Sequence, residues 1–446
     1  MKKVLILGAG LVAKPMVEFL LENGFRILVA SPMKDRADEM IAGNQNGKSL
    51  FWTMDDETTL ERLVGEYDIT VSLLPYKFHS GVARICLRNK KPLVTTSYVQ
   101  PEMQAMEEDV KNAGVIFLNE IGLDPGIDHM SAMKIIDHIH NKGGKVDEFY
   151  SLCGALPAPE AADNPLKYKF SWSPKGVVLS SSKSDLYLKN GKRVFIEPAN
   201  LFRDIFEVDF PGVGALEVYP NRDSISYKDI YGIPEASTMY RGTFRFKGWC
   251  ETLDLMKSIN MLDEDTKDYS GCTFSDFIAE RAGLGKTDIR KKLYLKTGLT
   301  ENSVGIKAFE WLGLFDDLDM GYTVTNPFEI TSDLMISKMQ LKDNERDMVV
   351  LQHVFNASYR GGGKETIKSS MLDFGTPATN TSIARTVALP AAIAVKLILE
   401  EKINLAGVYR PVIPQIYEPV LEGLEKLGIR MKEEFNNIEK FKPLFA

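Results

Sequence analysis

Cysteine is scarce in this chain: there are four in 446 residues, Cys86, Cys153, Cys250 and Cys272, far apart and without a Cys-x-x-Cys pair. That spacing excludes a disulfide scaffold. With five histidines in all, it also leaves no zinc-binding pattern, so no metal is expected. Positive charge is not in excess either. Lysine and arginine number 54 against 61 acidic residues, a net charge of −7. Nucleic acid is therefore not an expected partner, because neutralising phosphates takes clustered basic charge. Long apolar runs are missing too. Met1-Lys2-Lys3 followed by Val4 to Leu7 imitates the start of a signal peptide, but Gly8, Gly10, Lys14 and Glu18 interrupt it. The longest late run, Val387 to Val395, contains Pro390 and ends at Lys396. A membrane span takes about 20 apolar residues. These absences predict a soluble, cytoplasmic protein with no membrane partner.

What is present fits a globular chain. Apolar residues make up 44% and charged residues 26%, and 34 glycines with 21 prolines are too few for a collagen-like or broadly disordered protein. At about 150 residues per domain, the length predicts two or three domains. Strand-length apolar runs occur at Val4–Leu7, Arg26–Ala30, Ser49–Trp52, Ile69–Leu74, Pro92–Thr96 and Val115–Leu118. Between the first two, Val12, Met16, Val17, Leu20 and Leu21 recur at helical spacing, and Asn23-Gly24 supplies a stop. Strands alternating with helices predict an α/β fold with a Rossmann-type, doubly wound parallel sheet, since parallel neighbours need crossover helices. From about residue 130 the pattern changes. Leu156-Pro157-Ala158-Pro159 through Asn164-Pro165 predicts a long loop, Val194–Ile196 and Ala215–Tyr219 predict strands, and 253–330 predicts helices. Val349–Ser358 and Glu365–Ser370 flank Gly361-Gly362-Gly363 as a hairpin would, and the last 60 residues predict helix.

Gly8-Ala9-Gly10-Leu11-Val12-Ala13 lies between the first strand and the first helix and matches G-x-G-x-x-G/A. The first glycine permits a tight turn, the second admits a pyrophosphate to the backbone, and Ala13 allows close helix–strand packing. The helix N-terminus then faces the phosphates. NAD recognition would place a carboxylate at the end of the second strand. The sequence there is Val29-Ala30-Ser31-Pro32-Met33-Lys34-Asp35-Arg36. Ser31, Lys34 and Arg36 could instead receive a 2′-phosphate, so NADP is favoured and NAD stays open. Two apparent phosphate loops fail. Gly283-Leu284-Gly285-Lys286-Thr287 has Glu280 where the Walker pattern takes glycine, and Gly361–Lys364 is followed by Glu365.

Several segments together resemble the saccharopine reductase family, the glutamate-forming saccharopine dehydrogenases. They are Ser72-Leu73-Leu74-Pro75-Tyr76, Val94-Thr95-Thr96-Ser97-Tyr98-Val99, Asn119 through His129, Asn164 through Ser173, Tyr219-Pro220-Asn221-Arg222-Asp223-Ser224 and Arg241-Gly242-Thr243. Glu345-Arg346-Asp347 and Leu351-Gln352-His353 extend the resemblance over nearly the whole chain. It implies a Rossmann domain over 1–128 completed by 383–446, a mixed α/β substrate domain over 129–252 and 331–382, and a small helical insert over 253–330. It also implies a reversible reaction in which glutamate and 2-aminoadipate 6-semialdehyde condense to an imine that NAD(P)H reduces to saccharopine.

The same resemblance places substrate against Ser97, Tyr98, Asp124, Arg222 and the segment Thr243-Phe244-Arg245. Arg222 and Arg245 would grip carboxylates, of which saccharopine has three, and planar guanidinium forks suit that task. Asp124 would pair with an amine, and Ser97 and Tyr98 would add hydrogen bonds beside the nicotinamide. Ser72, Leu73, Leu123, Asp124 and Pro125 would lie against the cofactor, with Ser173 near it. For proton transfer the candidates are Tyr98, Asp124 and Cys153; a phenol near ~10 or a thiol near ~8.5 would need tuning. His129 is expected to have a local structural role. The substrate's own secondary amine could serve without any side chain.

Fungal members carry arginine where this chain has Pro32, which keeps NAD open beside NADP. The additional reductase module of animal and plant bifunctional enzymes is not expected here, so the chain would act alone or with a separate protein. A homodimer is left open. Two rival readings remain: a carboxynorspermidine dehydrogenase-like imine reductase, whose diamine product has a single carboxylate, and a non-catalytic NADP-binding scaffold.

Overall fold

The aliphatic runs of the N-terminal segment are strands in the computed structural model, which describes residues 1–180, 183–442 and 444. They are β1 (Lys3–Leu7), β2 (Arg26–Ser31), β3 (Gly47–Phe51), β4 (Ile69–Ser72), β5 (Leu93–Thr95) and β6 (Ile116–Leu118). The amphipathic stretches between them form α1 (Lys14–Glu22), α2 (Lys34–Ile41), α3 (Glu57–Glu66) and α4 (His79–Arg88). Local chemistry fixes these helices. Pro15 sits in the first turn of α1, where a missing N–H costs nothing, and the Asp56 side chain accepts from Thr59 N at the start of α3. Every residue of β4 is buried, as a parallel strand covered on both faces requires.

Contacts divide the chain into two units, Met1–Val146 with Ala357–Asn437, and Asp147–Asn356 with Ile438–Ala446. In the first unit, β1 pairs in parallel with β2 (Val4↔Ile27) and with β4 (Val4↔Ile69). A seventh strand, Gly407–Tyr409, adds in parallel beside β6 (Gly407↔Ile116), giving the order Gly407–Tyr409, β6, β5, β4, β1, β2, β3. The last 60 residues are therefore not all helix. They contain this strand and another at Lys432–Ile438, besides the helices Ser382–Leu399 and Pro414–Lys426. Three residues are too few for a periodic signal, and the partner of Gly407–Tyr409 lies far back in the sequence. Helix Ser382–Leu399 packs on α1 and on Pro414–Lys426. Its mean hydropathy of 1.7 over 18 residues would suffice to cross a membrane by length and composition, yet 72% of it is buried, as in a core helix. A search for uninterrupted apolar runs passes over it because Ser382, Thr386 and Lys396 interrupt the sequence. Helix Ile127–Asn141, expected in the second domain, clusters with the first unit, where Tyr417 of Pro414–Lys426 donates to Asp137.

The second unit holds a mixed sheet. Its strands are β7 (Gly144–Pro157), β8 (Asp185–Lys189), β9 (Lys192–Ile196), β10 (Phe206–Phe210), β11 (Gly214–Pro220) and β12 (Thr238–Arg245). The order β10-β11-β12-β7 continues to Asp347–Tyr359, and β8 pairs with both β12 and β9. β12 is antiparallel to β11 and parallel to β7. The expected loop begins later than the prolines suggest, because β7 takes in Leu156 and Pro157 before a short 3-10 turn at Pro159–Ala161. Residues 253–330 are helical, as expected, apart from a two-residue ladder of Lys267–Asp268 with Val324–Thr325. Gly361 (φ +97°) and Gly362 (φ +88°) turn the chain between Asp347–Tyr359 and Lys364–Phe374, the expected hairpin. Gly283 ends helix Phe274–Ala282 in the left-handed region, and Lys286 pairs with Asp276 at 2.5 Å, so neither belongs to a phosphate loop.

Candidate active site

The glycine loop lies where the strand order reverses, with β2 on one side of β1 and β4 on the other, which is where doubly wound sheets bind ligands. Gly8 has φ +107°, and a Cβ there would stand 3.1 Å from the Leu73 carbonyl oxygen, so the tight turn over β4 demands glycine. A Cβ on Gly10 would meet nothing within 4 Å, leaving the backbone approachable. Ala9 and Ala13 are buried beneath the loop, Leu11 is exposed, and Val12 is half-buried. The N-terminus of α1 follows with its free N–H groups, so the loop fits a pyrophosphate. Ser31 ends β2, and its hydroxyl accepts from the Met33 amide at 3.1 Å. Lys34 and Arg36 begin α2; Lys34 is exposed and paired with Asp38 at 2.6 Å.

The neighbouring strand ends bring the other expected residues of this unit together. Ser72 and Leu73 end β4, and the Leu73 amide donates to the Leu7 carbonyl at 2.9 Å. Ser97 and Tyr98 follow β5; Leu123, Asp124 and Pro125 follow β6. The Tyr98 hydroxyl donates to Asp124 Oδ1 at 3.4 Å, joining two of the proton-transfer candidates.

Two features of this ridge escaped the sequence. His79, the first residue of α4, spans Ser72 and Ser97: Nδ1 is 2.9 Å from Ser72 Oγ and Nε2 is 2.8 Å from Ser97 Oγ. Burial pushes its pKa down to about 4. The quoted motif stops at Tyr76, just short of it. The other is Glu120, buried and with φ +55°. One carboxylate oxygen accepts from Val99 N and Arg410 Nε, both at 2.9 Å, and the other is 2.8 Å from His129 Nε2. Burial alone would raise this carboxyl, but His129, Arg410 and the Val99 amide outweigh it and bring it down to about 2. His129 is thus a structural partner, as expected.

In the second unit, Cys153 of β7 stands opposite Thr243 of β12, and Thr243 stands opposite Tyr219 of β11. Cys153 is buried and in no disulfide. Phe244 is wholly buried with its ring edge-on to Phe210 at 5.7 Å, so it offers its carbonyl rather than its ring. Arg245 is 4% exposed, and its guanidinium lies 4.9 Å from the Tyr168 ring, 5.3 Å from Trp249 and 5.8 Å from Tyr219. Nη1 donates to the Phe244 carbonyl at 2.8 Å, and Nε has no partner. Among the described residues no carboxylate lies within ion-pair reach of it. A buried cation boxed by rings, with donors to spare, is suited to an anion.

Arg222 is exposed on the turn after β11 with φ +58°. Its amide donates to the Asp185 carboxyl, which burial raises to about 6. Ser173 is exposed and immediately precedes helix Pro174–Ser180.

A glycine loop at the switch point of a seven-stranded parallel sheet, followed by a mixed-sheet unit carrying a boxed arginine, defines a dinucleotide-binding enzyme of the Rossmann class. Residues 4–118 match the saccharopine dehydrogenase NADP binding domain, and residues 122–429 match the saccharopine dehydrogenase C-terminal domain. The chain is 37% identical to saccharopine dehydrogenase (NADP(+), L-glutamate-forming) of Saccharomyces cerevisiae, over 97% of this chain and 99% of that one. The Schizosaccharomyces pombe enzyme of the same name gives the same identity and coverage. The solved structure of the Saccharomyces cerevisiae saccharopine dehydrogenase (L-Glu forming) superposes with a TM-score of 0.91 at 36% identity, over 98% of this chain and 100% of that one. The chain belongs to the saccharopine dehydrogenase family.

Proposed function

We propose that this chain is a glutamate-forming saccharopine dehydrogenase of lysine metabolism, using NADP. The observation that carries the reading is Arg245, a buried guanidinium whose partners among the described residues are rings and a carbonyl. A substrate carboxylate completes it. Saccharopine brings three, so the exposed Arg222 has one to hold as well. A diamine product would bring a single carboxylate to a site that offers both Arg245 and Arg222.

Bound NADP supplies the hydride acceptor. The chain's own residues manage the proton and the water. Oxidation of the secondary amine leaves an imine; water adds to its carbon, and the C–N bond then breaks to release glutamate and 2-aminoadipate 6-semialdehyde. The amine must lose a proton at the start and regain one when it leaves. The Tyr98–Asp124 pair can carry that proton, with the Asp124 carboxylate accepting and the Tyr98 hydroxyl already hydrogen-bonded to it. The Cys153 thiol beside Thr243 is the second candidate.

The match to an NADP binding domain supports NADP over NAD, with Ser31, Lys34 and Arg36 as the 2′-phosphate receivers. Four dispersed cysteines, none in a disulfide, favour a reducing compartment, and we place the enzyme in the cytoplasm. Reduced-nicotinamide absorbance, followed with saccharopine and either NADP or NAD, tests the reading. Faster turnover at lower KM with NADP is expected. No reduction with either cofactor from neutral to alkaline pH would overturn the function, and a higher kcat/KM with NAD would overturn the cofactor assignment.

A further inference from the structure

His79 is 1% exposed, and its side-chain partners are hydroxyls: Ser72 at 2.9 Å, Ser97 at 2.8 Å and Thr95 at 3.4 Å. No carboxylate among the described residues touches the ring. As the first residue of α4 it sits at the positive end of the helix dipole, which disfavours an imidazolium, and burial acts in the same direction. The ring is therefore neutral, with one N–H and one lone pair.

A neutral imidazole between two serines imposes a rule. One serine must donate to the ring and the other must accept from it. Ser72 decides which, because the third hydroxyl, Thr95, stands farther from the ring, 3.4 Å from Nε2. It is fully buried, and a buried hydroxyl proton needs an acceptor; His79 Nδ1 is the side-chain atom that offers one. Ser72 therefore donates to Nδ1, and the ring proton lies on Nε2, facing Ser97 Oγ. Ser97 is half-buried, at the strand end where ligand binds, and accepting from Nε2 leaves its own proton free to point outward.

We propose that His79 is a positioning residue for Ser97: its Nε2–H donates to Ser97 Oγ, fixing the serine rotamer and turning the serine proton toward a substrate carboxylate. This rests on the reading of the chain as a saccharopine-oxidising enzyme. A cation at this position would leave Ser72 without its acceptor, and an apolar side chain would leave both serine protons free to rotate.

Two measurements test it. In the free protein, nitrogen-15 NMR of labelled histidine, with His79 assigned by the signal lost in His79→Gln, is expected to show a neutral ring protonated on Nε2. A proton on Nδ1, or on both nitrogens at neutral pH, would overturn the proposal. In steady-state kinetics, His79→Phe is expected to lower kcat/KM for saccharopine by about tenfold or more while the NADP KM stays within about twofold. His79→Gln, whose amide nitrogen reaches the place of Nε2, should recover most of the loss, and His79→Phe should cost little further in a Ser97→Ala background. A packing role predicts the reverse order, with phenylalanine better tolerated than glutamine. That order, or losses of His79→Phe and Ser97→Ala that multiply, would overturn the proposal. If His79→Phe does not fold, His79→Asn replaces it, with glutamine again expected above asparagine. A parent enzyme that leaves saccharopine unoxidised would fell the functional reading, while the NMR result still decides where the proton sits.

Discussion

The carboxylate of Glu120 holds the Val99 amide at 2.9 Å, while the Glu120 amide donates to the Ser97 carbonyl at 3.0 Å. One residue after β6 thus grips both ends of the three-residue segment after β5 that carries Tyr98. Arg410, from beyond the seventh strand, and His129, from helix Ile127–Asn141, fix the carboxylate in turn. The proton-transfer candidate Tyr98 is thus held in a segment that a buried ionic brace grips at both ends.

That brace gives an acid limit to stability. The Glu120 carboxyl is held at about 2 when folded, below its unfolded value. Its stabilisation is complete above about pH 4.5 and is lost as pH falls through the folded value. Glu120→Gln is expected to cost about 3–5 kcal/mol at neutral pH, as breaking a buried ionic cluster does, and to flatten the acid slope. Melting temperature against pH for the two proteins checks this; parallel curves would separate Glu120 from acid stability.

Asp185 behaves in the opposite sense. Burial raises its folded pKa to about 6, above the unfolded value, so its contribution is best below about pH 4 and worsens as pH rises to the folded value. Asp185→Asn keeps an oxygen to accept from the Arg222 amide and removes the charge. It is expected to be more stable than the parent above pH 6 by on the order of 2–3 kcal/mol, the two converging toward pH 4. Chemical denaturation at both pH values measures the difference.

Arg222, proposed above to hold a substrate carboxylate, has a left-handed backbone with φ +58°. Arg222→Gly and Arg222→Ala are both expected to raise the saccharopine KM far more than the NADP KM. In stability they should part: glycine takes this conformation freely, whereas alanine pays about 1 kcal/mol. Equal effects on both KM values would assign Arg222 to the fold.

Arg245 should show a trade between stability and binding. Arg245→Met fills similar space and meets the rings of Tyr168 and Trp249 through its sulfur. Removing a buried, uncompensated charge is expected to leave the substrate-free protein as stable or more so, by up to about 4 kcal/mol. Saccharopine should raise the melting temperature of the parent and leave that of the variant unmoved. A substrate shift that survives the substitution would remove Arg245 from the carboxylate site.

Much of this was legible in the chain itself. Aliphatic runs of strand length, helical periodicity and Gly8-Ala9-Gly10 specify a Rossmann unit, because these signals are local: a strand's period, a cap, a turn that admits only glycine. Arg222, Tyr98 and Asp124 were reachable through family motifs. The seventh strand was not, since Gly407-Val408-Tyr409 has no pattern of its own and becomes a strand by pairing with β6. Nor was the surrounding of Arg245. Its place between Phe244 and Phe246 allowed a strand residue facing solvent, and only the packing of Tyr168, Trp249 and Tyr219 made it a boxed cation.

The opening scarcities also acquire a different weight. Few cysteines and few histidines give the expectation of no disulfide or zinc scaffold, and composition alone can supply that. It could not say that one of the five histidines would lie between two serines on adjacent strand ends, or that another would brace Glu120. The sequence by itself determined the strand–helix alternation of the N-terminal segment and the glycine turn, because backbone propensity and side-chain period act over a few residues. Tertiary structure alone decided which polar groups share a proton and which charge is buried, because those depend on side chains brought together from distant parts of the chain.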